Sequence, residues 1–321
     1  MNRNYATEGD LHFDVPLSNI AVQAFSDDTT DFIADKIFPA VPTPKKSDKY
    51  YTLTKAVFLR VAETLRAPRT RARRIEFSVS SDSFFCDNHA LASDIPLEDL
   101  GNADTALQLR ENTTRLVVGN LRRAQERRVA NLVTSLTNLG SGTTLTGTAK
   151  WSDFVNSSPL SDITTAHAFI KNNTGLVANT MIIDYDTWMV VRRHPQFLDL
   201  FKYTKGGMLK MEELKELMNV ANILVPSAIV ENAIEGGTSS ITSIWGNNVI
   251  VCHVGPVTGL QSQTFGLRFQ WTDPIYPANF GVMRTAENGA GQGHVEVIEA
   301  GHFQDEKIVA AALAYGIAAT L

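Results

Sequence analysis

The sequence predicts a mixed α+β fold made of an arm, a long hairpin, a spine-like helix and an α/β region, on three observations. Residues 48–63 and 74–80 alternate apolar and polar positions on either side of a basic turn. Residues 104–139 repeat apolar positions every three or four. Beyond residue 160, short helical and alternating segments follow one another to the end of the chain.

The first 23 residues are polar, with scattered apolar positions and no period, and read as an extended arm. Phe25 to Pro39 then predicts a helix: Asp27 and Asp28 near its start, Phe32, Ile33 and Ile37 in one stripe, Pro39 at its stop. Val41-Pro-Thr-Pro excludes helix and leads out as extended chain. In the hairpin, Tyr51, Leu53, Val57, Leu59 and Val61 fall on one strand face, and Ile75, Phe77 and Val79 on one face of the return strand. The tip between them is Leu65-Arg-Ala-Pro-Arg-Thr-Arg. A hairpin of this composition is marginal alone and needs a surface to lie on.

The long helix carries Val118, Leu121, Val129, Leu132, Leu136 and Leu139 at helical spacing, with Glu111–Arg115 and Arg122–Glu126 as i,i+4 pairs on an exposed face. Its thirty-odd residues would run about 50 Å before Gly140-Ser-Gly stops it. The Gly/Ser/Thr-rich stretch 141–161 reads as a boundary. Helices are predicted at 162–173, Tyr185–His194 and Met211–Met218, and strands at Thr180–Ile183, 222–225, 248–254 and 265–271. His294–Ala300 and Ile308–Leu321 supply two more strands, the second apolar enough for a sheet centre.

Composition limits the function classes. At 321 residues the chain has room for one large domain or two, and no apolar run approaches the ~20 residues that span a bilayer. The opening MNRNYATEGDLHFDVP lacks the apolar stretch of a secretory signal, so a cytoplasmic start is expected. A net charge of −5 argues against nonspecific nucleic-acid binding by the whole molecule. The charge is unevenly placed. Residues 1–35 hold seven acids against Arg3, and residues 60–74 hold six arginines against Glu63. Opposed patches suit a subunit that meets copies of itself, because complementary charge sets the register of a contact.

No segment carries G-x-S-x-G, H-E-x-x-H or a P-loop, so no catalytic residue and no cofactor site are assigned. Cys86-Asp-Asn-His89 with Cys252-His253 would make a four-ligand zinc set. On a strand, however, Cys252 and His253 face opposite ways, and packed thiols are expected instead. Gly289-Ala-Gly-Gln-Gly293 lacks nucleotide-loop spacing and reads as a hairpin tip. Asp184 and Asp186 read as a helix N-terminus rather than paired acids, and Trp188 as a core anchor.

The order of parts, and the run from Gly175 to Tyr203 (GLVANTMIIDYDTWMVVRRHPQFLDLFKY), resemble the Hong Kong 97-like capsid fold of tailed-bacteriophage major capsid proteins. In that run an asparagine precedes a strand, then an aromatic-bearing helix, then His-Pro and a second helix. Ile223–Val225 with the later Ile244-Trp-Gly-Asn-Asn-Val, and Phe32–Pro42 leading into Ser47-Asp-Lys-Tyr-Tyr and Arg66-Ala-Pro, resemble other stretches of the family. The likeness covers residues 24–321.

The resemblance implies an N-arm over 1–23 and an E-loop hairpin over 48–81. It implies a peripheral domain over 24–47, 82–149 and 266–307, and an axial domain over 150–265 and 308–321. The job implied is structural: hexamers and pentamers tiling an icosahedral shell around double-stranded DNA held nonspecifically, with assembly in the host bacterial cytoplasm. A portal, a separate scaffolding protein (the arm being short for a built-in one) and a decoration protein are the implied partners; no membrane is. On this reading Arg66, Arg69, Arg71, Arg73 and Arg74 pair with acidic surface on a neighbouring subunit. Two alternatives stand beside it: an encapsulin-like bacterial nanocompartment shell, and a cytosolic α/β enzyme with an unrecognised site.

Overall fold

The computed structural model describes residues 12–13, 32–53, 61, 64–66, 68–69, 71–72, 74, 79–102, 108–201, 210–234, 236–257, 263–272, 280–289 and 293–321. In chain order the first elements are β1 (His12–Phe13), α1 (Ala34–Ile37), β2 (Ala40–Thr43), β3 (Ser47–Leu53), β4 (Val79–Phe85) and β5 (Asp87–Pro96). Then come α2 (Leu97–Asn102), the long α3 (Leu109–Thr134), β6 (Ser141–Thr144), α4 (Pro159–Thr174), β7 (Thr180–Ile183), α5 (Tyr185–Val191), α6 (Pro195–Phe201) and α7 (Met211–Leu217). The chain closes with β8 (Asn222–Leu224), β9 (Ile229–Glu231), β10 (Ile241–Ser243), β11 (Asn248–Cys252), β12 (Gly266–Trp271), β13 (Gly281–Gly289), β14 (Gly293–Ile308) and β15 (Ala314–Ala318).

Two sheets dominate. One runs β1-β13-β14-β12-β2 with β5 on the other side of β14; the second runs β6-β15-β11-β7-β8. Helix α3 joins them. Its Val117, Val118 and Leu121 pack with Ile95, Val282, Ile298 and Ala300 of the first sheet. Its Val129, Ala130 and Val133 enter the main core with Met181, Ile182, Val249, Val251 and Ile317 of the second. At twenty-six residues α3 is about 39 Å long. It is shorter than the span 104–139 read from sequence: Thr134 ends it, a 3-10 turn takes Leu136–Asn138, and residues 103–107 lie outside the described set.

The close of α3 depends on two glycines. Gly142 of β6 pairs with Gly316 of β15, and Leu136 lies across the pair. A Cβ on Gly142 would stand 2.6 Å from Leu136 Cδ2, and one on Gly316 would stand 2.5 Å away. Only a side-chain-free pair lets the end of the spine touch this sheet.

Two salt bridges, one in the first turn and one in the last third of α3, fix it along β14. Arg110 grips Glu296 through two contacts of 2.7 and 2.8 Å, and Arg128 grips Glu306 at 2.9 Å. Along α3 the two arginines are about 27 Å apart. Along β14 the two glutamates are about 33 Å apart. Helix and strand therefore run side by side in the same direction, pinned twice.

Arg115 of the pair Glu111–Arg115 is exposed as expected, but the pair Arg122–Glu126 does not lie on an exposed face. Arg122 and Glu126 are buried, because the sheet and the N-terminal segment cover that side of the helix. Glu126 has 0% exposure and serves three segments at once. Its carboxylate accepts from Ile33 N (3.1 and 3.2 Å), Ala34 N (2.9 Å) and Trp245 Nε1 (2.7 Å). Those two backbone groups open α1, whose own residues provide no side-chain cap. A glutamate ninety-odd residues away thus satisfies the orphan donors of a helix N-terminus. Arg122 instead lies over the Phe32 ring, 5.1 Å from its centroid.

Other expectations meet the structure with small changes. Helix appears at Ala34–Ile37, while 25–31 of the expected Phe25–Pro39 helix lie outside the described residues. Pro195 opens α6 rather than only ending the helix before it, as suits a residue with no N–H to leave unpaired. Gly175, with φ 75°, closes α4. The tail's first strand runs sixteen residues, to Ile308, not seven, and the second is confined to Ala314–Ala318 between β6 and β11. The boundary stretch contains β6.

Replacing Glu126 by Ala is expected to lower the unfolding free energy of the unassembled subunit by about 3 kcal/mol, since each orphaned buried N–H costs about 1 kcal/mol or more. Urea titration followed by tryptophan emission would measure it, and an unchanged midpoint would contradict the role given to this carboxylate.

Candidate assembly surface

The hairpin is a sheet of its own: β3 pairs with β4 from Ser47↔Phe85 to Leu53↔Val79, and the return strand thus extends to Phe85, beyond the expected 74–80. Residues 54–60 and 75–78 lie outside the described set. Tyr50 and Phe84 are 2% exposed and point into a core with Val41, Leu267, Phe269 and Phe303. Both strands alternate, so which face is buried is decided by what the root packs on.

Among the described residues no backbone ladder ties β3–β4 to the six-stranded sheet. Side chains hold the root instead. Phe84 stacks on Phe269 with centroids 4.3 Å apart, and Tyr50 lies 5.3 Å from the same ring. Asp305 of β14 accepts from Phe85 N at 2.9 Å. Lys46 Nζ sits 5.0, 5.4 and 5.9 Å from the ring centroids of Phe85, Phe303 and Trp271. Such contacts are worth about 0.5–2 kcal/mol each. Tyr50 Oη donates to Asp82 at 3.0 Å; burial and that carboxylate raise the phenol's pKa, while Ser83 N and the phenol lower that of Asp82.

At the far end Arg66, Arg69, Arg71 and Arg74 are all exposed, with Val61 (95%) and Leu65 (89%) beside them in the chain. Arg73 lies outside the described residues. Arg69, directly after Pro68, has φ 65°, in the left-handed region. None of the four described arginines meets a carboxylate among the described residues.

The remaining candidates are scattered. Cys86 and Cys252 are free, buried thiols in two different cores, raised by burial to about 11 and about 12. His253 Nδ1 lies 2.7 Å from Val177 O, so the four-ligand set is not brought together. Asp184 caps α5 by accepting from Asp186 N and also takes Ser243 Oγ at 2.6 Å. The cleft it shares with Tyr185, Asp186, Ile229 and Ile241 holds about 190 Å³, below the usual size of a ligand pocket. Trp188 is buried in the main core. Gly289 and Gly293 face each other at the β13–β14 turn.

Sequence reasoning missed the root. Lys46 and Asp305 carry no motif, and only the fold brings residues 46, 85, 271, 303 and 305 together. It also missed His302, which is buried 5.8 Å from His89. Burial first, then His89, Arg128 and Arg268, hold His302 down to about 3.

Compared with known proteins, the chain is 30% identical over 254 residues to the major capsid protein of Pseudomonas phage JBD67, covering 76% of this chain and 79% of that protein. The major capsid protein of Burkholderia phage BcepMu matches at 26% over 254 residues, 78% and 79% of the two chains. Among solved structures, a phage-related protein from Bordetella bronchiseptica RB50 matches with a TM-score of 0.73 at 21% identity, over 97% of this chain and 98% of that one. The capsid structure of cyanophage P-SCSP1u gives 0.56 at 12% identity, over 89% and 88%. At such identities the structural likeness is one of fold. No protein-family model matches the chain.

Stability should fall in acid in a defined window. The folded value of His302 lies below its free value of 6.5, so the unfolded chain takes up the proton first between 6.5 and about 3. Stability complete above 6.5 is lost as pH falls through that window. His302→Gln is expected to remove about one proton from the uptake on unfolding, read from urea midpoints across pH; an unchanged pH slope would refute the assignment.

Proposed function

The chain belongs to the family of phage major capsid proteins, and from that premise we propose how its parts build the icosahedral shell of a tailed phage. The observation that carries the reading is the 30% identity to a phage major capsid protein across three quarters of both chains. The work is structural: the subunit contributes surfaces, and closed symmetric assembly follows from repeating one contact.

In the finer reading, 48–81 is the E-loop that lies across a neighbour, and 1–23 an N-arm. Residues 24–47, 82–149 and 266–307 form the peripheral domain, and 150–265 with 308–321 the axial domain, which meets its copies around the symmetry axes of hexamers and pentamers. What supports this division is the way α3 feeds one end into each of two sheets and two cores. A hairpin that pairs with no other strand among the described residues, and that ends in exposed arginines, is built to be completed by another molecule. Double-stranded DNA fills the shell, with weak nonspecific contact, as a net charge of −5 favours.

Negative-stain microscopy of the purified chain is expected to show closed particles. A chain that stays monomeric at every concentration would sink the reading, and particles that load a protein cargo instead of DNA would favour a nanocompartment. Arg69→Glu with Arg71→Glu is expected to cut particle yield about tenfold at low salt, since interfacial charge sets docking rate and register. Equal yield from parent and variant would leave those arginines without an interface role.

A further inference from the structure

Among the described residues the six-stranded sheet has one long unpaired margin. β5 runs ten residues and, among the described residues, pairs only with β14. Every second residue of such a strand turns its N–H and C=O outward, an arrangement that natural proteins shorten, bulge or guard with lysine. β5 (DNHALASDIP) carries neither lysine nor proline through its centre, which is Ala90, Leu91 and Ala92. The chain continues directly into α2, none of whose residues is buried. Leu91 and Leu97 are 42% and 40% exposed, and Asp94, Glu98 and Asp99 stand exposed on the same stretch. No described cation pairs with these three acids.

The matching surface is in the same sequence. The hairpin tip presents Arg66, Arg69, Arg71 and Arg74 with Leu65, equally unmatched among the described residues. Opposite charges that meet no partner among the described residues of one chain can be matched between two copies. β5 starts at Asp87, two residues after β4 ends, so donor hairpin and acceptor ridge leave the body at one place. Each copy can then give a tip to one neighbour and receive one from another, the head-to-tail contact that closes rings.

We propose that the β5–α2 ridge is the seat for the arginine tip of a second copy of this chain, with Asp94, Glu98 and Asp99 meeting the arginines and Leu97 receiving Leu65. The proposal rests on the shell-subunit reading and names the surface that reading leaves open. Three variants test it: the acid-reversed chain (Glu98→Arg, Asp99→Arg), the tip-reversed chain (Arg69→Glu, Arg71→Glu), and the two combined. Each single reversal should lose about tenfold in particle yield, and the combination should recover to within about twofold of the parent.

Thermal melts of unassembled subunits check that every variant folds. If the acid-reversed chain does not, Glu98→Gln with Asp99→Asn replaces it, and a smaller loss that low salt fails to deepen counts against the seat. Full yield from the acid-reversed chain, or no recovery in the combination, overturns the proposal while leaving the shell reading intact. A parent chain that forms no particles defeats the shell reading itself.

Discussion

Everything in this subunit hangs from the carboxylate of Glu126, where the N-terminal segment, the long helix and the loop bearing Trp245 converge. A buried acid is expensive to desolvate, and burial pushes its pKa up. The three donors aimed at it offset that cost and press the other way. Because Ile33 and Ala34 are two of the donors, the segment entering the hairpin is anchored to the spine before it reaches β2. The arginine clamps on Glu296 and Glu306 then fix the spine along β14. Asp35, paired with Arg268, continues the network from α1 into the sheet. Such half-buried pairs contribute orientation more than stability, since desolvation absorbs much of the Coulombic gain.

This frame gives the root of the hairpin its footing. A two-stranded ribbon has too little apolar area to hold itself, yet Phe84, Tyr50 and Lys46 give it a firm footing on Phe269 and Phe303. The division of labour is physical. The core fixes where the hairpin starts, and charge decides what its tip can touch. Isolated surface ion pairs are worth about 0–1 kcal/mol. Repetition over a closed shell turns small individual contacts into a large collective preference.

Much of the fold was legible because local pattern and tertiary structure agreed. Thr180–Ile183 is the strand its apolar run predicts, and Asp184 caps the next helix as its position suggests. Agreement failed where distant chain supplied the deciding contact. Arg122 and Glu126 look like a solvated pair until α1 and Trp245 close over them. Tyr50 and Phe84 are buried because Phe269, more than 180 residues further on, packs against them, a contact no local pattern announces. β5 escaped notice because DNHALASDIP has neither a strong alternation nor a full apolar run, and is a strand only because β14 is beside it. The arginine tip was plain from composition, since a one-signed loop is visible without a fold; the acids that face outward from β5 and α2 were not.

The two thiols give the molecule a pair of internal clocks. Cys86 lies in the small core under the hairpin root, Cys252 in the main core of the other sheet, and both are held fully protonated by burial at neutral pH. A thiol so shielded reacts with a soluble reagent only when its own lobe opens. Two labelling rates on one chain therefore time the loosening of the hairpin root and of the five-stranded sheet separately. Any step in a particle's life that frees one lobe while the other stays closed is written in the ratio between them.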